Sequence, residues 1–231
     1  MLHRSSALIR LFQRMASSMD SSHGALIVVD VQPDFLPGGA LAVADGDHIL
    51  EPLQRLLDEA PFEVVVATQD WHPRGHVSFA GTHPGHRPFE RIDVHGHEQT
   101  LWPDHCVQGT PGAALHPALT WDRVAAVIRK GTRPDVDSYS GFRNNWDAAG
   151  RRPPTGLAGY LRERGVEEVF LCGLARDFCV KWSAEDAVSA GFRATVLWEL
   201  TRPVDPRSDR AVRADLERAG VAISDEMLLR R

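Results

Sequence analysis

A carboxylate, an ammonium group and a thiol lie far apart along the chain but could meet in space: Asp30, Lys130 and Cys179, here called the trio. The thiolate is the nucleophilic form of cysteine, so a thiol near a cation and a carboxylate has both a stabilising charge and a proton acceptor. Taken singly, each residue has an ordinary alternative: a turn or helix-capping acid, a solvated strand end and a small buried hydrophobe. Together they predict a cysteine nucleophile.

A second group of side chains has the composition of a metal site. Asp70 and His72 are two residues apart and His105 follows in the same long segment; these three are here called the metal set. Two neutral imidazoles and a carboxylate can hold a zinc, iron or manganese ion with positions left open for water or substrate. The chain has 11 histidines, so some others in this segment are simply exposed polar residues.

Alternating short apolar runs and helical segments predict the framework that positions these groups. Runs of Val, Ile and Leu without polar alternation are typical of strands covered on both faces, so we predict a doubly wound, three-layer α/β domain with a mostly parallel sheet. The predicted strands are 25–31, 63–68, 123–129, 168–172, 194–200 and 221–223, and the predicted helices are 48–59, 156–164, 178–190 and 206–219.

The trio falls at the ends of predicted strands. Asp30 closes the first strand, Lys130 the third, and Cys179 follows the fourth at the start of a helix. Because the carboxyl ends of parallel strands lie on one edge of a sheet, the three groups can converge there. The segment 70–119 begins at the same edge, is rich in His, Pro and Gly, and is long enough to be functional.

Composition excludes several classes of protein. The 231 residues suffice for one domain, 25–231, and the net charge of −5 leaves no basic field for nucleic acid. No apolar run approaches the ~20 residues needed to span a bilayer, so we expect no membrane partner. Three cysteines are too few for a disulfide framework, which predicts a reducing compartment and hence a cytoplasmic protein.

The N-terminal extension, residues 1–24, differs from the rest of the chain. It carries three arginines and several serines, with no acid before Asp20. This composition resembles a mitochondrial transit peptide, which makes mitochondrial localisation the alternative to the cytoplasm. A disordered tail, or a start at Met15 or Met19, explains the same residues equally well.

Several motifs in the same order as in a known family resemble the nicotinamidase branch of the isochorismatase-like cysteine hydrolases. The resemblance runs from about residue 25 to the last strand and implies a six-stranded, mostly parallel sheet. It also implies hydrolysis of nicotinamide to nicotinate and ammonia in NAD salvage, with pyrazinamide as a further substrate. The segments that carry it are IVVDVQPDFLPGGALAV, VATQDWHPRGHVSFA, LWPDHCVQGTPGA, VIRKG with SYSGF, and GLARDFCVKWSAEDAVSAGF.

The same resemblance assigns the chemistry. It implies that the trio is a catalytic triad acting through a thioester, and that the metal set binds one divalent ion, with zinc preferred to iron or manganese. Related isochorismatases generally lack the metal set, so its presence selects the nicotinamidase branch. Family members vary in the fourth protein contact to the metal; here Ser78 is preferred and His76 is expected behind it.

The family also implies a pyridine-binding wall and an oxyanion hole. Phe35 and Trp102 would face the substrate ring, and flat aromatic side chains are suited to stacking against a heterocycle. Ala175 would follow a cis peptide bond after Leu174, so that its N–H and that of Cys179 point at one oxyanion.

Two other functions remain open. A metal hydrolase could use a metal-bound water as nucleophile, with Cys179 in a structural role. A catalytically inactive domain could merely sequester a pyridine ligand, although the presence of both the trio and the metal set argues against it. The sequence leaves open the metal, the range of pyridine carboxamides and whether the chain forms a homo-oligomer.

Overall fold

A computed structural model describes residues 24–59 and 62–225 of the chain. The N-terminal extension and its targeting hypothesis lie outside these residues, except for Gly24, with which the first strand begins. Within the described ranges, no helix combines the length and the apolar character needed to cross a bilayer.

Among the described residues, the main sheet has six strands in the spatial order 126–130, 64–70, 24–29, 168–174, 193–202 and 222–224, and every neighbouring pair is parallel. This confirms the predicted α/β class and the parallel sheet. The strands are β1 (Gly24–Val29), β2 (Val64–Asp70), β3 (Arg91–Val94), β4 (His97–Thr100), β5 (Ala126–Lys130), β6 (Glu168–Leu174), β7 (Arg193–Arg202) and β8 (Ala222–Ser224). The α-helices are α1 (Leu50–Glu59), α2 (Leu157–Arg162), α3 (Lys181–Ser189) and α4 (Asp209–Arg218).

Two hydrophobic cores cover opposite faces of this sheet. Along β1, Leu26 and Val28 belong to the core beneath α1, whereas Ala25, Ile27 and Val29 belong to the core beneath α2, α3 and α4. Successive side chains of a strand point to opposite faces, so a continuous apolar run can supply both cores at once. The absence of polar alternation in the sequence therefore reflects a sheet buried between two helical layers.

The structure corrects two details of the prediction. The segment 70–119 contains a two-stranded antiparallel hairpin, β3–β4, where only a loop was expected. Only the four residues RIDV of β3 alternate polar and apolar side chains, and HEQT of β4 has no apolar residue, so the pattern is too short to identify a hairpin from the sequence. The helix expected to begin at residue 178 starts instead as a single π-helical turn, Arg176–Val180, which then continues into α3.

Candidate active site

The trio converges at the carboxyl edge of the sheet. Asp30 follows β1, Lys130 is the last residue of β5, and Cys179 lies in the π-helical turn after β6. The Lys130 Nζ lies 2.9 Å from Asp30 Oδ2 and 3.4 Å from Cys179 Sγ. All three side chains are buried. The parallel topology thus brings together groups that are up to 149 residues apart in the sequence, the numerical difference between positions 30 and 179.

The Asp30 carboxylate is held by Thr68 at one oxygen and by Lys130 at the other. The Thr68 hydroxyl donates to Asp30 Oδ1 at 2.6 Å and accepts from the Asp30 N–H at 3.2 Å. The Oδ2 atom lies 2.9 Å from the Lys130 ammonium, its charge partner. One carboxylate oxygen of Asp30 also lies within 4.8 Å of Cys179 Sγ. A buried acceptor beside a thiol is suited to taking the thiol proton.

The Lys130 ammonium group lies between two carboxylates. It contacts both Asp30 and Asp70, and it donates to the Ser138 carbonyl at 3.0 Å. Burial opposes its charge, but the two carboxylates raise the pKa of Lys130 well above its usual value. Lys130 therefore carries a full positive charge in the resting site.

The proton donor, Cys179, and the proton acceptor, Asp30, both have raised pKa values. Burial, with a contribution from Asp70, raises the pKa of Asp30 to about 6. Burial also raises the pKa of the Cys179 thiol well above its usual value, and the opposing effect of Lys130 is too small to offset it. Because the ammonium is already shared between two carboxylates, it does not ionise the thiol in advance. Cys179 is thus a neutral thiol at rest and needs a base when it attacks.

The metal set is assembled around one carboxylate oxygen. Asp70 Oδ2 lies 3.5 Å from His72 Nε2 and 3.8 Å from His105 Nε2, and all three side chains are buried. Although burial would raise it, Lys130 and His72 hold the pKa of Asp70 well below its usual range, so this carboxylate is ionised.

Backbone carbonyls orient both imidazoles for metal binding. The His72 Nδ1 lies 3.0 Å from the carbonyl of Gly131, and the His105 Nδ1 lies 2.8 Å from that of Pro103. A carbonyl only accepts, so each Nδ1 carries a proton, and the Nε2 on the Asp70 side is the nitrogen that can bind a metal once it is unprotonated. Such support from outside the ligand shell is typical of protein metal sites, and the donor set fits a divalent cation.

His76 and Ser78 lie directly behind His72. The His76 ring stacks on that of His72 with 4.3 Å between the centroids. His76 Nδ1 is 2.7 Å from Ser78 Oγ, and its Nε2 is 3.2 Å from the Val136 carbonyl. Both nitrogens of His76 therefore have partners other than the metal set, while Ser78 as the fourth metal contact stays a prediction.

Gly131 makes the position of His72 possible, and its replacement is a direct test of the metal set. A Cβ at Gly131 would lie 2.3 Å from His72 Cε1 and 2.4 Å from Nδ1. We expect Gly131→Ala to displace the imidazole and weaken metal affinity by about 10- to 100-fold, the usual effect of disturbing a ligand's support. Metal titration of the purified variants measures this effect.

The matched control is Gly150→Ala. Gly150 has a similar backbone angle, φ +68° against +60° at Gly131, but no atom within 4 Å of an added Cβ. Both substitutions place an alanine at a positive φ and cost free energy for that reason. Only the Cβ added at position 131 contacts His72. Equal metal affinity in the two variants would show that the imidazole is not held by this contact.

A pocket opens beside these groups. Phe35 and Trp102, the predicted ring walls, both line it, together with Cys179 and all three residues of the metal set. The lining residues that sequence reasoning missed are Leu41, Asp137, Ser138, Tyr139, Phe178 and Val204.

Two of the pocket-lining residues that were not predicted could have been inferred from their neighbours in the sequence. Tyr139 lies within the SYSGF segment, and Phe178 immediately precedes Cys179. Phe178 contacts Trp102 edge-on, with 4.8 Å between the ring centroids, and lies 5.4 Å from the Tyr139 ring. An aromatic residue beside a candidate nucleophile is a reason to expect a ring-binding wall.

The π-helical turn places Ala175 beside Cys179 in the pocket lining. The peptide bond between Leu174 and Ala175 is cis, as the family resemblance implies. The Ala175 carbonyl accepts from the Val180 N–H at 3.0 Å, which closes the turn around the thiol. The roles of the Ala175 and Cys179 N–H groups as oxyanion donors stay predictions.

Buried charges fix the same turn to the rest of the fold. Asp177 accepts from the backbone N–H of Val204 at 2.8 Å and of Asp205 at 2.9 Å. Arg176 donates to both carboxylate oxygens of Asp209 at 2.8 Å. Cys179 therefore sits on a rigid support, as a positioned nucleophile requires.

Comparison with known proteins gives a consistent result. The protein-family model described as Isochorismatase domain matches residues 24–226. The curated nicotinamidase of Acinetobacter baylyi is 49% identical over 181 residues, covering 78% of this chain and 82% of that protein. The nicotinamidase of Escherichia coli is 44% identical over 195 residues, covering 84% and 89% respectively.

Solved structures agree in fold. A nicotinamidase/pyrazinamidase of Acinetobacter baumanii superposes with a TM-score of 0.82 at 45% identity, covering 87% of this chain and 95% of that one. An L. infantum protein in complex with nicotinate gives 0.77 at 43%, covering 88% and 93%. A pyrazinamidase of Pyrococcus horikoshii in complex with zinc gives 0.69 at 35%, covering 88% and 99%.

Proposed function

The chain belongs to the isochorismatase family, and we propose that within it the protein is a nicotinamidase, which hydrolyses nicotinamide to nicotinate and ammonia in NAD salvage. The observation that carries this proposal is the pocket that Cys179, the thiol of the buried trio, shares with the Asp–His–His metal set. Relatives at 44–49% identity are nicotinamidases, which supports the same substrate. A reducing compartment such as the cytoplasm suits a catalytic thiol.

The reaction begins at the neutral thiol. As Cys179 Sγ attacks the carboxamide carbon, the thiol proton passes to the Asp30 carboxylate, one oxygen of which lies within 4.8 Å of the sulfur. Lys130, 3.4 Å from the sulfur, stabilises the negative charge during the transfer. The carbonyl oxygen becomes an oxyanion facing the N–H groups of Ala175 and Cys179, and each such donor is typically worth ~3 kcal/mol.

Collapse of this intermediate breaks the carbon–nitrogen bond. Asp30 returns the proton to the departing amine, which leaves as ammonia, and a thioester remains on Cys179. Water then attacks the thioester carbon while Asp30 takes its proton. The thiol leaves reprotonated and nicotinate is released. The raised pKa of Asp30, about 6, suits a group that must both accept and return a proton near neutrality.

The metal set would hold one divalent ion, for which we propose zinc, with iron or manganese as alternatives of similar chemistry. When bound, such an ion supplies a Lewis-acid site that can take a pyridine nitrogen as a ligand. Phe35 and Trp102 line the space in which a ring held there would lie. Pyrazinamide has the same shape and a ring nitrogen in the same place, so we propose it as a second substrate.

Ammonia release tests the proposed function. The purified chain, loaded with metal, should convert nicotinamide to equal amounts of ammonia and nicotinate. Prior alkylation of Cys179, which lines the pocket, should remove this activity; because burial raises the pKa of this thiol, a small reagent is used at alkaline pH. A chain that binds nicotinamide without releasing ammonia would instead be a sequestering domain.

A further inference from the structure

The β3–β4 hairpin contributes one buried side chain to the protein, and that side chain is polar. Of the eight strand residues, seven are exposed or half-buried, and only Gln99 on β4 is buried. A buried amide costs free energy unless it is hydrogen-bonded, so its partners indicate why it is there.

Gln99 donates toward the lining of the active-site pocket. Its Nε2 lies 2.7 Å from Asp137 Oδ2, 3.1 Å from the Tyr139 hydroxyl and 2.8 Å from the Thr100 carbonyl. A carboxylate and a carbonyl only accept, so the amide nitrogen, and not its oxygen, must face them. The hairpin is thus bonded to two pocket-lining residues through one side chain.

Both partners touch parts of the site that matter for the substrate. The Tyr139 ring packs against Phe178 at 5.4 Å and Trp102 at 6.4 Å between centroids. Asp137 has a carboxylate oxygen within 4.8 Å of a ring nitrogen of His72. Gln99 binds Asp137 Oδ2, and Asp137 Oδ1 accepts from the Ser138 N–H at 2.7 Å. Gln99 and one backbone amide together therefore fix the carboxylate.

We propose that Gln99 is a positioning residue for the substrate: by anchoring Asp137 and Tyr139, it sets the shape of the ring-binding side of the pocket. This inference rests on the proposed nicotinamidase activity. Gln99 is not in the pocket lining and contacts none of the trio, so its loss should weaken substrate binding and leave the chemical step nearly intact.

The first test is Gln99→Met, which keeps the length of the side chain and removes both donors. Losing a hydrogen bond to a charged partner should raise KM for nicotinamide about tenfold while kcat stays within about threefold. Steady-state kinetics measure both, and circular dichroism with thermal melting checks the fold. The control is Glu98→Gln, which removes an exposed ion pair with Arg91 on the same hairpin and should change neither constant.

The second test exchanges donor and acceptor. In Gln99→Glu, two carboxylates face each other, so KM should rise further. Asp137→Asn should also raise KM, because its single amide oxygen cannot accept from both the Ser138 N–H and the Gln99 amide. In the double variant Gln99→Glu/Asp137→Asn, the amide introduced at position 137 can donate to the carboxylate introduced at position 99, while the amide oxygen still accepts from the Ser138 N–H. Both Gln99→Glu and the double variant place a carboxylate beside the Thr100 carbonyl, so KM of the double variant should fall below that of Gln99→Glu.

The outcomes separate the inference from the function on which it rests. Absence of ammonia release by the unmodified chain would overturn the proposed function. Normal wild-type turnover with an unchanged KM in Gln99→Met, or with kcat and thermal stability falling together at constant KM, would overturn the positioning role alone. A double variant with KM no lower than that of Gln99→Glu would do the same, because the two variants differ only in the hydrogen bond to position 137.

Discussion

Replacement of Cys179 by alanine is expected to lower kcat for nicotinamide by about 10⁴-fold or more, because no other group in the trio can form the thioester. The substitution removes one buried sulfur from a turn that is held by Asp177 and Arg176, so the fold and the metal affinity should be retained. Ammonia release, circular dichroism and metal content measure the three quantities.

The control is Cys172→Ala. Cys172 is also a fully buried thiol, but it lies within β6 with its sulfur 3.8 Å from the Ile27 carbonyl, in the core under α1. That variant loses the same atom and should keep kcat, with only stability reduced. Activity of Cys179→Ala within tenfold of wild type would favour the alternative mechanism, in which a metal-bound water is the nucleophile.

The second large effect concerns the ring nitrogen of the substrate. Benzamide has the carboxamide of nicotinamide and nearly its shape but offers no nitrogen to a metal. If the metal set anchors the ring, kcat/KM for benzamide should be lower by about 10²-fold or more, the loss expected from misorientation. Removal of the metal should reduce turnover of nicotinamide strongly and that of benzamide far less.

The measurement compares kcat/KM for both amides in the metal-loaded and metal-free enzyme. Readdition of metal is the control, since recovery shows that chelation did not unfold the protein. Equal turnover of the two amides in the loaded enzyme would mean that the ring is not held through its nitrogen. The metal would then have to be assigned to the activation of water.

The sequence predicted the elements that carry Asp30, Lys130 and Cys179 because each depends on local information. A continuous apolar run defines a buried strand, and parallel order then places all strand ends at one edge. The positions of the groups follow without knowledge of any long-range contact. The same reasoning placed the metal set in the segment after β2.

What escaped prediction depends on contacts between distant segments. Gln99 and Tyr139 are 40 residues apart, and neither lies in a hydrophobic pattern that reveals its burial. The sequence predicted a thiol whose proton passes to Asp30, but it did not predict that a second carboxylate, Asp70, shares the Lys130 ammonium. Charge balance in a buried site is a property of the whole cluster.

Asp70 has a consequence for how this site could change in evolution. One of its oxygens contacts Lys130, and the other faces the two histidines of the metal set. A descendant that discarded the metal could replace both histidines freely, yet replacing the acid would leave a buried lysine with one counter-charge instead of two. We therefore expect the carboxylate to be retained in relatives that have lost the histidines. An aspartate at this position, without the histidines, is then no evidence of a metalloenzyme.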